Sequence, residues 1–290
     1  MKRHWPALLA LLFAATIWGA TFVLIKHVLA SIAVERFIFW RFLVGGTVLL
    51  AAAWLARALP RYVFLPGSLL GVLVFGGYWL QTRGLLEISP SRSAFLTALC
   101  VVMVPLLERL VWGAPVPPLA IGSTLIATGG TFLLVGGISG RFTRGDILTV
   151  LCALLFAIHI VLSARLSRKV PVVGLAAVQV AVVALIAAPF SGAKGAAPLS
   201  REVIVIILVT GCVTTALCFY LMMWSQSKIS ATEAAVVLAF EPVAAALTSL
   251  VFGERLTMHA VAGGTLIVAA MILSQVQRPA QDTTLRRTTL

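Results

Sequence analysis

Glu233 and Glu241 lie within an apolar stretch, residues 229–256, whose centre is long enough to cross a bilayer. A carboxylate at membrane depth is costly, so it usually faces a cavity, a partner or a transported substrate. Pro242 directly after Glu241 removes a backbone donor and frees the Leu238 carbonyl one turn earlier. Lipid tolerates such a break only where neighbours or water satisfy the freed group. Pro105, also inside an apolar run, is a second candidate for a helix break or gate. Glu241 could bind a substrate ammonium group, exchange a proton as a coupling carboxylate, or make a packing hydrogen bond between helices. Glu233 is the second choice for coupling.

Other side chains could build a site around it. Trp18, Phe22 and Lys26 are spaced by four and form one stripe on a helix. That stripe would face either an interior or lipid, with Lys26 snorkelling to the boundary. Tyr78-Trp79 and Phe219-Tyr220 offer aromatic walls that could stack on flat apolar groups, with Tyr220 equally suited to the interfacial aromatic belt. His159 and Ser163 add polarity, Arg41 and Arg92 positive charge, and Arg83 can pair with Glu87 four residues on. No paired metal-ligand spacing, Gly-x-Ser-x-Gly or phosphate-cradling loop occurs, and the four histidines are scattered. Cys100, Cys152, Cys212 and Cys218 read as small apolar side chains. Neither an enzyme nor a metal or cofactor site is expected.

These residues recur in register. At a constant offset of 141, Gly122, Thr124, Leu125 and Ile126 fall on Gly263, Thr265, Leu266 and Ile267. Tyr78-Trp79 falls on Phe219-Tyr220, Trp18 on His159, Phe22 on Ser163 and Arg92 on Glu233. Such a register reads as an internal duplication. Polar counterparts of Trp18 and Phe22 suggest that both positions face a shared interior.

The elements that must carry them are membrane helices. A chain 61% hydrophobic and 11% charged, with mean hydropathy +1.08, is not a soluble domain. Its net charge of +13 is scattered over helix ends and loops, which suits headgroups and topology better than nucleic acid. At about 20 residues per crossing, ten segments fit. They begin near Pro6, Phe37, Leu65, Ser91, Leu119, Asp146, Val172, Val203, Ala231 and Met258. The expected fold is an all-α membrane protein: ten transmembrane helices as two inverted five-helix repeats around a central cavity. Residues 1–139 form the first repeat, 140–145 the link, 146–276 the second repeat and 277–290 a polar cytoplasmic tail. Five helices per half inverts the second half, an arrangement suited to alternating access. A channel would instead predict repeated pore-lining rings. Basic residues lean towards the side of the termini, which places both termini in the cytoplasm.

Trp18-Gly19, Arg41, Glu241-Pro242 and Gly253-Glu-Arg-Leu256, in this order and within this duplication, resemble the drug/metabolite transporter superfamily. The similarity is to its EamA-type exporters, and within them most of all to bacterial exporters of aromatic amino acids. The resemblance implies a ten-helix basket in a bacterial inner membrane. Segments one, three, four, six, eight and nine would line its cavity, with five and ten outside. It implies export of a small molecule without cofactor or ATP. Nucleotide sugars and drugs are the other substrates that the superfamily covers. A monomer is expected, and proton coupling and facilitated export both stay open. Arg92 and Glu233 depart from the family, whose residues there are often small or neutral. They point to a local ion pair or to selectivity particular to this chain.

Overall fold

The computed structural model describes residues 4–113, 115–135, 141–192, 199–251 and 257–276. Gly140, the whole of Gly253-Glu-Arg-Leu256 and the tail 277–290 lie outside them. Among the described residues every regular element is helical. They run α1 (Trp5–Val28), α2 (Val34–Leu55), α3 (Phe64–Glu87), α4 (Pro90–Ala98), α5 (Cys100–Trp112), α6 (Pro118–Leu134) and α7 (Arg144–Leu166). Then follow α8 (Val172–Ser191), α9 (Arg201–Val209), a π-helical stretch Thr210–Leu217, α10 (Cys218–Gln226), α11 (Ala231–Leu238), α12 (Glu241–Val251) and α13 (Met258–Val276). Among the described residues eight spans are long and apolar enough to cross a membrane, the fourth, seventh and eighth each running through a break or a π turn. Two shorter apolar helices, Pro118–Leu134 and Met258–Ser274, stand where the fifth and tenth segments were expected.

Local chemistry explains the boundaries. Ser89 and Ser230, which correspond at the 141 offset, both cap helices, accepting from the backbone N–H of Arg92 and Glu233 respectively. The third residue of each helix then differs in role. Glu233 closes a capping box by accepting from the Ser230 N–H at 2.7 Å. Arg92 cannot do this. Its Nε and Nη2 donate instead to Asp146, at 2.5 and 2.9 Å, in a bidentate pair at the start of α7. Arg92 and Glu233 are thus helix-start residues with separate partners. Arg83 does not pair with Glu87, four residues along its own helix. Its guanidinium reaches Glu35 at the start of α2, at 2.5 Å, and the same carboxylate oxygen accepts from Trp79 Nε1. Three cysteines are buried as expected, but Cys212 is exposed.

The breaks also correspond. One separates α4 from α5 at Leu99, and the other separates α11 from α12 at Ala239–Phe240; Leu99 and Phe240 stand 141 apart. Pro242 is the second residue of α12, where its missing N–H costs no intrahelical bond. Pro105 does not make the break in the first half. It stays inside α5, and the interruption comes six residues earlier.

Packing follows the same pattern. α2 lies on α8, and α6 on α13. α1 contacts α10 and α12, while their counterparts are matched by α7 on α3 and α5. Between α6 and α13 the approach is backbone to backbone. A Cβ on Gly263 would strike the Gly130 carbonyl and the backbone of Leu134, whereas one on Gly122, its counterpart, would meet nothing within 4 Å. Small residues are what let membrane helices pack this closely. We expect Gly263→Ala to lower the melting temperature of the purified protein in detergent by several degrees. Gly122→Ala should be neutral or slightly stabilising, since glycine in a helix costs roughly 0.5–1 kcal/mol against alanine. Equal melting temperatures for the two variants would rule out this contact as a determinant of stability.

Candidate functional site

The break before α12 organises the site. The chain turns through Ala239 and Phe240, with the Phe240 N–H donating to Val237 at 3.1 Å, and restarts at Glu241. Glu241 therefore stands at a helix start in the middle of an apolar span. α1 passes directly across it. A Cβ on Gly19 would collide with the Glu241 carbonyl, and would sit 2.8 Å from the Ala244 Cβ and 3.0 Å from the Ala245 nitrogen. Glycine is needed there for close approach of backbone to backbone. Trp18, one residue earlier, then reaches across to α10 and the π-helical stretch. Its Nε1 donates to the Thr214 carbonyl at 2.7 Å, and its ring meets Phe219 edge-on at 5.7 Å. A π turn widens the helix, which makes a main-chain acceptor available to an outside donor.

Around this point two cavities adjoin, sharing Trp18, Tyr78, Gln81 and Glu241 as walls. One extends along α1 past Phe22 and Ile25 and includes Arg41 and Leu85. The other reaches the α4/α5 break at Ala98 and Cys100, and takes in Phe156, His159, Phe219 and Leu238. Segments one, three, four, six, eight and nine all contribute, with one addition, Arg41 of segment two; five and ten contribute nothing to these two cavities. The wall is aromatic. Tyr78 packs edge-on against Phe42 at 5.1 Å and Phe156 at 5.5 Å, and lies 6.1 Å from Phe219, its own counterpart in the register. Trp18 and its counterpart His159 flank the same Phe219 ring. Cys100, the counterpart of Glu241, lines the second cavity with it.

Several sequence-derived candidates fall elsewhere. Trp79 does not line either cavity: its Nε1 donates to Glu35 at 2.8 Å and Arg83 lies over its ring. Tyr220 is half-buried and packs on the core behind Phe219. Both misplacements share one cause: consecutive helical residues point about 100° apart, so Tyr78 and Trp79 cannot face one cavity together. Ser163 is fully buried behind His159, its hydroxyl 3.3 Å from Nε2, while the same ring nitrogen meets Gln179 Oε1 at 2.8 Å. Lys26 neither snorkels nor enters the cavity. Its ammonium donates to the carbonyls of Leu85 and Ile88 and ties the end of α1 to the end of α3. Arg92 and Glu233 remain at their helix starts, away from the cavity lining.

Other residues escaped the sequence reading. Gln81 and Thr82 follow Tyr78 by three and four and so share its face. Gln81 donates to Thr97 Oγ1 at 3.0 Å, bridging α3 to α4. Phe156 precedes His159 by three, and Cys100 carries the register of Glu241, so both signals were present. Among the described residues no group of three or more His, Cys, Asp or Glu is arranged to hold a metal ion.

Comparison with known proteins gives this architecture its relatives. The profile of the EamA-like transporter family matches the chain twice, over residues 5–136 and 143–275. An uncharacterised transporter of Archaeoglobus fulgidus is 32% identical over 267 residues, covering 91% of this chain and 84% of that protein. A solved structure described only as that of a protein superposes with a TM-score of 0.78 over 95% of this chain and 99% of its own, at 20% identity, a likeness of fold. A chain matched over almost its whole length by this family, with spans that suit a multi-pass membrane protein and a cavity at its broken helices, is a member of the EamA-like transporter family, a membrane transporter of a small-molecule substrate.

Proposed function

We propose that this transporter exports amino acids, aromatic ones foremost, across a bacterial inner membrane by alternating access. The observation that carries the reading is the placement of Glu241: a carboxylate at a helix break, bordering a cavity walled by Trp18, Tyr78, Phe156 and Phe219. Rings of this kind stack on a flat apolar side chain, and the carboxylate offers an ammonium group its charged acceptor. His159 and Phe22 complete the substrate-facing set, with Ser163 and Lys26 holding their neighbours in place. We place the two halves, 1–139 and 146–276, as inverted five-helix repeats, with both termini cytoplasmic and the chain a monomer. The corresponding caps, breaks and helix contacts at the 141 offset support that arrangement. The breaks before Cys100 and Glu241 are then the points at which the halves flex, with Pro242 keeping the second one open.

The reading is tested first in liposomes. Purified protein should release labelled phenylalanine and tryptophan faster than alanine, and protein-free vesicles should not. Failure to move any aromatic amino acid, in either orientation and with or without a pH gradient, would remove this assignment. Phe219→Ala removes the ring that Trp18, Tyr78 and His159 all contact. A stacking contact contributes about 0.5–1.5 kcal/mol beyond buried area, so the affinity for aromatic substrates should fall by a factor of about two to ten. Alanine transport should change less, and an equal loss for both would assign Phe219 to packing.

Glu241→Gln preserves volume and hydrogen bonding but removes the charge. A hydrogen bond to a charged group contributes about 1.5–3 kcal/mol, so export and substrate counterflow should both fall by about ten- to a hundred-fold. Loss of gradient-driven export with counterflow intact would instead make Glu241 a proton carrier. For topology, Ser31, in the exposed turn between α1 and α2, and Arg61, between α2 and α3, should lie on opposite faces. A cysteine at Ser31 should react with an impermeant thiol reagent from outside the cell and one at Arg61 should not. The reverse pattern would invert the topology.

A further inference from the structure

The first cavity holds a second charge that the carboxylate does not neutralise. Arg41 is 2% exposed, yet its guanidinium borders the same space as Glu241. Burying a guanidinium without a counter-charge is costly, and such groups are ordinarily paired. The three ion pairs among the described residues are His27 with Glu202, Arg83 with Glu35 and Arg92 with Asp146; neither Arg41 nor Glu241 takes part. Arg41 is held by neutral acceptors only. Its Nε donates to Thr215 Oγ1 and its Nη2 to Thr214 Oγ1, both at 2.9 Å, and its Cζ lies 5.0 Å from the centre of the Tyr78 ring. The Thr214 hydroxyl is itself oriented, because its proton goes to the Thr210 carbonyl at 2.7 Å and its lone pairs turn to the arginine. The guanidinium is thus fixed in place without being neutralised.

A cation and an anion that share a cavity without pairing are complementary to a ligand carrying both charges. We propose that Arg41 binds the substrate's carboxylate while Glu241 binds its ammonium group, so that the carrier selects zwitterions over amines and acids with the same side chain. This rests on the aromatic amino-acid reading above and adds to it a specificity-determining residue. The planar fork of arginine suits a carboxylate in a way that an ammonium does not. Thr214, Thr215 and the Tyr78 hydroxyl engage three of the five N–H groups of that fork, which leaves two for a ligand. Tyr78, against which the guanidinium lies and which also borders the second cavity, places the charged end of the substrate beside the aromatic wall.

The test compares three compounds that share one ring: phenylalanine, phenylalaninamide (no carboxylate) and 3-phenylpropionate (no ammonium), each measured for release from proteoliposomes. Wild type should move phenylalanine at least about ten-fold faster than either analogue, as loss of a hydrogen bond to a charged group predicts. R41Q should bring the ratio of phenylalanine to phenylalaninamide close to one, and R41K, with the charge but not the fork, should fall between. Equal wild-type rates for phenylalanine and its amide would overturn the proposal while leaving the aromatic amino-acid reading intact. R41Q slowing both compounds in the same proportion would overturn it too, and would make Arg41 a brace for the π-helical stretch. No wild-type movement of phenylalanine or tryptophan would remove both readings. Should R41Q fail to fold, the wild-type comparison and R41K still decide the matter.

Discussion

A backbone interrupted inside an apolar span must have its freed polar groups satisfied, and the centre of this molecule is arranged around that requirement. The turn at Ala239–Phe240 is closed by its own short-range hydrogen bonds, and Pro242 removes a donor that would otherwise need an acceptor. The π-helical stretch turns the Thr214 carbonyl to Trp18 and its hydroxyl to Arg41, while Thr210 and Thr214 send their protons back to earlier carbonyls. The π-helical irregularity is thereby satisfied by side chains that line the cavity, Trp18 and Arg41. Irregular backbone in a membrane is confined to places where it borders protein or a cavity, which is why the breaks and the site coincide.

The distribution of charge separates structure from function. Arg92–Asp146, Arg83–Glu35 and His27–Glu202 each involve a residue at a helix start or end and tie it to a helix distant in sequence. Pairs as exposed as His27–Glu202 contribute little to stability and mainly fix geometry. Arg41 and Glu241 lie deeper and are left apart. A protein under selection for stability alone would pair or replace them, since removing buried charge in favour of packed apolar side chains is commonly neutral or stabilising. Their separation is therefore a property of the site and not of the scaffold.

Much of this was legible in the chain itself. Ten apolar segments, the register at 141 and Glu241-Pro242 were enough to locate the broken helix and its carboxylate. The Trp18-Gly19 pair pointed at the right segment, though only the structure explains the glycine, through the approach of the Glu241 backbone. Side-chain direction was harder to read. Tyr78 and Trp79 are neighbours in sequence and diverge in space, and the pattern of apolar residues could not separate them because both faces of the helix are apolar. Arg83 prefers Glu35, 48 positions away, over Glu87 four positions along, and no local spacing encodes that choice. The hold on Arg41 was invisible for a related reason: Thr214 and Thr215 lie more than 170 positions away, and no local spacing brings their hydroxyls to the guanidinium.

The register also shows how one scaffold can acquire an asymmetric site. Corresponding positions meet at the cavity: Tyr78 with Phe219 in contact, Trp18 and His159 on the same ring, Cys100 and Glu241 at equivalent breaks. In each pair one member keeps the shape and the other changes the chemistry, a phenol against a phenyl ring, an indole against an imidazole, a thiol against a carboxylate. Two identical halves would offer a substrate two identical polar ends. Divergence at Cys100 and Glu241 leaves a carboxylate on one side only, and Arg41 has an apolar counterpart in Val182. The two halves therefore share the geometry of their caps and breaks and differ in the chemistry they bring to the cavity.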